Sequence, residues 1–132
     1  MRDDLNILLS CLLEFAQLML RDHGEFLPFG AGLSRERNVT SLGAEMGEDH
    51  PRSRDVVEVL FSALAKQAAN GEIIAAGICT DVLVVPPGQE GKSDAICLEL
   101  EHQDGETVDV FLPYARNDSG EVTYGELLRH AR

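Results

Sequence analysis

A glycine-rich string, PPGQEGKS at residues 86–93, has the composition closest to that of a phosphate-binding loop. A Walker A loop has four residues between its two glycines and leads into a helix whose amides face the phosphate. Here only Gln89 and Glu90 separate Gly88 from Gly91, and a strand-like segment follows. Glu90 also adds negative charge where a phosphate would bind. The string therefore predicts a hairpin connection, in which the prolines end one strand by withdrawing amide donors.

Three acidic residues on the strands AICLELEHQ and TVDVFLPY form a sharper candidate site. A two-residue turn between these strands would put aliphatic side chains opposite acids, whereas a three-residue loop, Gln103 to Gly105, changes every partner. The three-residue loop pairs Leu100 with Val108, Leu98 with Val110 and Ile96 with Leu112. On the other face it puts Glu99 opposite Asp109, with Glu101 two residues along the strand and opposite Thr107.

The chemistry of this acidic group has several readings. Like charges placed directly across a hairpin are mildly destabilising, so a reason for keeping them is needed. They can be well solvated, bind a divalent cation, contact a basic partner, or act as a general acid and base when burial separates their pKa values. No cysteine, serine or histidine with an evident partner joins Glu99, Glu101 and Asp109 on that face, so catalysis is the least favoured reading.

The four histidines do not form a ligand set. His102 lies by strand parity on the core face at the end of the hairpin, which predicts a semi-buried strand residue rather than a base. His50 lies beside two acids, but no second ligand pair follows at metal spacing, so a helix-start loop is predicted. His23 and His130 are placed at the ends of predicted helices, where positive charge is favourable. The sequence predicts no metal and no cofactor.

The net charge of −12 limits the classes of partner. Residues 72–126 contain twelve acidic residues against only Lys92 and Arg116. Such a surface repels nucleic acid backbones and anionic lipid, and aromatic residues that could stack on bases make up only 5% of the chain. The charge favours a basic partner, or serves solubility alone.

The cysteines and the apolar segment near residue 5 indicate the cellular location of the protein. Cys11, Cys79 and Cys97 form no Cys-x-x-Cys pair, and an odd count is atypical of a disulfide framework. The segment LNILLSCLLEFAQLML carries Glu14 and lacks a basic start, and it is too short to span a bilayer. We therefore expect a cytoplasmic protein in which this segment is an amphipathic core helix.

The periodicity of the chain predicts the elements that position these residues. They are a helix over 4–22, strands over 27–33 and 38–46, a helix starting near Asp49, Pro51 or Ser53 and ending at Gly71, strands over 73–85, 95–103 and 107–114, and a short helix over 123–130. The order α-β-β-α-β-β-β-α predicts a single α+β domain over 1–132, with a mostly antiparallel sheet of about five strands. This order is similar to that of the roadblock and profilin-like folds.

Three phrases, GEFLPFGAGL, AAGICTDVLVVPPGQEGKSDAICLELEH and DGETVDVFLPY, resemble segments of a family of small uncharacterised bacterial proteins. The resemblance extends over residues 5–125. It implies a bacterial, free-standing domain, and it supplies no activity and no site residues.

Two function classes follow from these observations. The first is a non-catalytic acidic interaction protein, an adaptor or immunity-type module that binds a basic protein. The alternative is a small enzyme or divalent-cation binder that uses Glu99, Glu101 and Asp109. Self-association as a homodimer is compatible with the first class.

Overall fold

The computed structural model describes residues 2–43, 47 and 51–131. Its elements are α1 (Asp3–His23), β1 (Phe29–Leu33), β2 (Val39–Leu42), α2 (Ser53–Ala69), β3 (Ala75–Val84), β4 (Ser93–His102), β5 (Thr107–Arg116), β6 (Val122–Tyr124) and β7 (Leu128–Ala131). All strand pairings are antiparallel, in the order β2-β1-β3-β4-β5-β6, and β7 also pairs with β5. The predicted α+β class is confirmed, and so is the order of its first seven elements.

Helix α1 buries one stripe of its surface against the sheet. The stripe consists of Leu5, Leu8, Leu12, Ala16 and Leu20, none of which is more than 2% exposed. Arg2 occupies the N-cap, so Asp3 and Asp4 lie in the first turn rather than capping the helix. Gly24 ends it with a φ of 78°, a left-handed conformation that glycine adopts readily. Within the described residues, neither helix is long and apolar enough to cross a membrane.

The two helices cover opposite faces of the sheet. Helix α1 packs on β1, β3 and β4, while α2 packs on β1 and β3 from the other side. Val56, Leu60 and Leu64 of α2 form a separate buried cluster with Ile73 and Ile78. Strand β3 is therefore central and flanked on both faces, which explains why its sequence is apolar at both parities.

The register of the β4–β5 hairpin agrees with the prediction. Leu100 pairs with Val108, Leu98 with Val110 and Ile96 with Leu112. The loop closes through the amide of His102, which donates to the carbonyl of Glu106 at 2.9 Å. Gly105 has a φ of 100°, the left-handed conformation that the three-residue loop requires. The string PPGQEGKS connects β3 to β4, also as predicted.

The predicted third helix over 123–130 is wrong. Residues 122–124 and 128–131 instead form β6 and β7, which pair with two parts of one edge of β5. A helix of about eight residues is marginal in water, and its Gly125 would weaken it further. The β5 edge offers backbone hydrogen bonds instead, and the amide of Gly125 donates to the carbonyl of Pro113 at 2.8 Å. Among the described residues the sheet consequently has seven strands rather than about five.

The second strand is shorter than predicted. Strand β2 ends at Leu42 instead of Met46, and the predicted inward positions Ala44 and Met46 lie outside the described residues. The same holds for Asp49 and for the helix-start reading of His50. Helix α2 begins at Ser53, the last of the three predicted start signals.

Candidate functional site, an acidic-rimmed groove beside the second helix

The hairpin brings the three predicted acidic residues together on one face of the sheet. Glu99 pairs with Asp109, and Glu101 with Thr107, as predicted. Since Glu99 also pairs with Ile78 of β3, the acids share the face that carries α2, called the α2 face below. Glu99 and Glu101 are exposed, whereas Asp109 is half-buried with one carboxylate oxygen out of contact with solvent.

An apolar groove of about 300 Å³ lies between α2 and this acidic group. Phe61, Ala65 and Ala68 of α2 line one wall, at spacings of four and three residues that place them on one side of the helix. Glu99 and Glu101 line the opposite rim. The groove therefore joins a mainly apolar interior to a negatively charged edge, and sequence patterns could not reveal it because its walls come from separate elements.

The aromatic ring of Phe61 shows how open the groove is. Phe61 is 58% exposed, although Leu60 and Leu64 on the same helix are buried. Exposed large apolar side chains are common singly, but beside a groove they mark a surface suited to contact with another molecule.

A second depression, of about 430 Å³, lies farther along the α2 face and is lined mainly by apolar residues, with Arg129 and His130 also on its lining. Phe111 of β5 and Leu128 of β7, which pair directly with each other, line it together with Val84 from the end of β3. Phe111 is two residues along β5 from Asp109, so the acidic group lies between the two depressions on the same face.

The acids do not form a metal centre with their neighbours. Across the described ranges, no group of three or more histidine, cysteine, aspartate or glutamate side chains is arranged to hold a metal ion. His130 lies opposite Asp109 on β7, but its ring packs edge-on to Phe111, with the centroids 6.1 Å apart. The prediction that placed His130 at a helix end is wrong, because that helix is replaced by β7.

A buried polar network that was not predicted lies at the groove's end. His102 is 5% exposed, and its Nε2 lies 2.9 Å from Oδ2 of Asp4, which is 8% exposed. The amide of Asp104 donates to Nδ1 of His102, so Nε2 carries the proton that is donated to Asp4. Nε of Arg37 donates to the other oxygen of Asp4 at 3.0 Å.

The network fixes the charge of Asp4. The hydrogen bond from His102 and the charge of Arg37 lower the pKa of Asp4 below its usual value, although burial opposes them. Arg37 has a φ of 66°, a conformation that is uncommon outside glycine, and the ion pair with Asp4 helps to hold it. A sequence signal existed, because Asp4 continues the four-residue spacing of the buried stripe of α1.

A separate polar pair lies on the face that carries α1. The hydroxyl of Tyr114 donates to Oδ1 of Asp81 at 2.8 Å. Burial and this contact with a carboxylate raise the pKa of the Tyr114 phenol, and burial raises the pKa of Asp81. The pair lies across the sheet from the groove and takes no part in it.

Comparisons of the chain with models of known families, with curated proteins and with solved structures found no match. The similarity of its element order to roadblock and profilin-like folds, and the family resemblance of its three phrases, stay predictions.

Proposed function

We propose that this protein is a non-catalytic interaction module that binds a cationic segment of another protein along the groove beside α2. The observation that carries the proposal is the combination of an apolar groove with Glu99 and Glu101 on its rim. Apolar burial would supply affinity, while the acidic rim would select for positive charge and speed the encounter. The net charge of −12 acts in the same direction over longer range.

The proposal also accounts for the unfavourable pairing of Glu99 with Asp109. A lysine or arginine from a partner would lie beside both carboxylates, which are directly opposite each other across the hairpin. Binding would then relieve repulsion as well as form new ion pairs. A surface kept acidic for solubility alone would gain nothing from placing acids directly opposite one another.

A charge-matched comparison tests the proposal. The probe is a fluorescent synthetic peptide of equal numbers of leucine and lysine, and its binding is measured by anisotropy. The variant Glu99→Gln with Glu101→Gln removes two negative charges at the rim. The control Glu14→Gln with Glu121→Gln removes two from exposed positions on α1 and in the β5–β6 turn, outside the groove.

We expect the rim variant to weaken binding about 5- to 30-fold, since exposed ion pairs contribute up to about 1 kcal/mol each. The control should change binding by less than about twofold, because screened charges outside the contact act weakly. Equal weakening by both double variants would refute the site and leave only attraction by overall charge.

A second measurement distinguishes the interaction module from the alternative. In the alternative, Glu99, Glu101 and Asp109 form a divalent-cation site or part of a small enzyme. Hard cations prefer several carboxylate oxygens, and their binding raises the melting temperature of the folded protein. A rise with Mg²⁺, Ca²⁺ or Zn²⁺ that Glu99→Gln abolishes would favour the alternative. No shift with any of the three would favour the interaction module.

A further inference from the structure

The half of the α2 face that α2 leaves open has the width of one helix. Helix α2 packs on β1 and β3, and no other helix among the described residues lies on that face. Strands β4, β5 and β7 are adjacent there. With neighbouring strands about 4.8 Å apart, three strands span roughly 14 Å, against about 10–12 Å for a helix with its side chains. A single helix beside α2 would complete the layer.

The strand pairings decide between a helical and an extended occupant. Strand β4 is paired on both sides, by β3 and β5, and β5 is paired by β4 on one side and by β6 and β7 on the other. As far as the structure describes the chain, the open half of the face consequently has no strand edge at its centre to which an extended segment could add. An extended segment laid on the apolar parts would leave its own backbone groups unpaired, whereas a helix satisfies them internally.

The positions of the acidic and apolar residues along the α2 face determine where a bound helix would need its basic and apolar residues. From Thr107, beside the acidic group, to Phe111, in the second depression, there are four residues of strand, or roughly 13 Å. That distance is about nine residues of helix at 1.5 Å each. A fitting helix has basic residues toward one end and an apolar anchor about two and a half turns away.

A second copy of this chain fits the face poorly. In a two-fold dimer the same patch meets itself, so the acidic groups of both copies would be brought close together. Like charges placed in this way across an interface strongly disfavour association. Charge complementarity therefore favours a partner of opposite sign.

We infer that the cationic segment is an amphipathic helix that lies beside α2 over β4, β5 and β7, with its axis along β5. Its basic residues lie at Glu99, Glu101 and Asp109, and its apolar anchor lies in the second depression. This inference rests on the proposed function and adds the conformation and placement of the segment.

Three synthetic peptides of equal length test the inference. The first has leucine and lysine at helical spacing, the second has the same composition in strict alternation, and the third has the helical spacing with glutamate replacing lysine. We expect the first to bind at least tenfold more tightly than the second, with a gain of helical circular dichroism on binding, and the third not to bind.

A pair of matched variants tests the placement. Leu127 is 39% exposed and lines the second depression, while Leu18 is 41% exposed on α1, on the other side of the sheet. Leu127→Ala should weaken binding of the helical peptide about 3- to 10-fold, and Leu18→Ala should leave it unchanged. Equal effects of the two variants would overturn the placement.

The remaining outcomes distinguish a failure of the helix inference from a failure of the proposed function. Equal binding of the alternating peptide, weakened by Glu99→Gln with Glu101→Gln, would overturn the helix and leave the proposed function standing. Binding of the glutamate peptide as tightly as the lysine peptides would refute both. A dimer detected by light scattering and strengthened by the same rim variant would identify a second copy as the occupant and overturn the inference.

Discussion

Gly77, the third residue of β3, packs directly against Leu12 of α1 and Leu100 of β4. A Cβ atom placed on Gly77 would lie 2.5 Å from Cδ1 of Leu12 and 2.9 Å from Cδ2 of Leu100. Both distances are shorter than real Cβ contacts, so one or both leucines would have to move. Leu12 is 2% exposed and Leu100 fully buried, which leaves little space for either side chain to rotate away. Gly77→Ala should therefore be destabilising.

The magnitude follows from two opposing effects. Forcing an extra methyl group into a well-packed core costs about 1–3 kcal/mol. Replacing glycine by alanine lowers the entropy of the unfolded chain, which returns about 0.4–1 kcal/mol. We expect a net loss of about 1–2 kcal/mol in the free energy of unfolding for Gly77→Ala, or about 3–10 °C in melting temperature for a chain of this size.

Urea unfolding followed by circular dichroism measures this loss. Gly91→Ala is the matched control, because a Cβ there would meet no atom within 4 Å and Gly91 has no positive φ. The control should be neutral or slightly stabilising. In a Leu12→Ala background the cost of Gly77→Ala should fall to about half or less, since the shorter of the two contacts is gone. An equal cost in both backgrounds, or a Gly77→Ala protein as stable as wild type, would refute the reasoning.

Three further predictions concern the charged and polar groups. Glu99→Gln should raise the free energy of unfolding by about 0.2–1 kcal/mol by ending the repulsion with Asp109, and a lower urea midpoint would contradict this. The lowered pKa of Asp4 means that its stabilising contribution is present above about pH 3.8 and is lost as the pH falls further. The stability difference between wild type and Asp4→Asn, from urea midpoints at several pH values, should therefore shrink below pH 3.8, and a constant difference would show that the charge is unimportant. The raised pKa of Tyr114 predicts a contribution that is present below about pH 10 and lost as the pH rises beyond it. In Tyr124→Phe, which leaves one tyrosine, phenolate absorbance should appear only well above pH 10, and titration near 10 would contradict the buried hydrogen bond.

The sequence predicts this fold best where side-chain alternation and a short loop act together. The register of β4 and β5 could be chosen because only one loop length pairs the aliphatic residues Leu98 and Val110 with each other. Local signals failed for residues 123–130, where Thr123 and Glu126 have the spacing of a helix-capping pair and the edge of β5 competes for the same residues. That competition is decided by a strand formed elsewhere in the chain, which a local pattern does not represent.

The site was partly predictable for a related reason. Strand parity placed Glu99 and Asp109 together, and it placed His102 on the core face, because both statements need only one hairpin. The groove needs α2 to be positioned over β3, and the partnership of His102 with Asp4 joins residues 98 apart in the sequence. Such long-range arrangements follow from the packing of whole helices and strands, so the spacing of residues in the sequence does not predict them.

The distance in sequence between α1 and the strands that cover it has a consequence during synthesis. The buried stripe of α1 is complete at Leu20, but β4, one of the strands on which it packs, ends only at His102. At about 5–20 residues per second, the ribosome needs roughly 4–16 s to add the residues in between. For that time the sheet under the leucine-rich face of α1 is incomplete, because only β1 and then β3 precede β4 in the chain. This face is therefore a segment of the nascent chain that a holding chaperone would bind early.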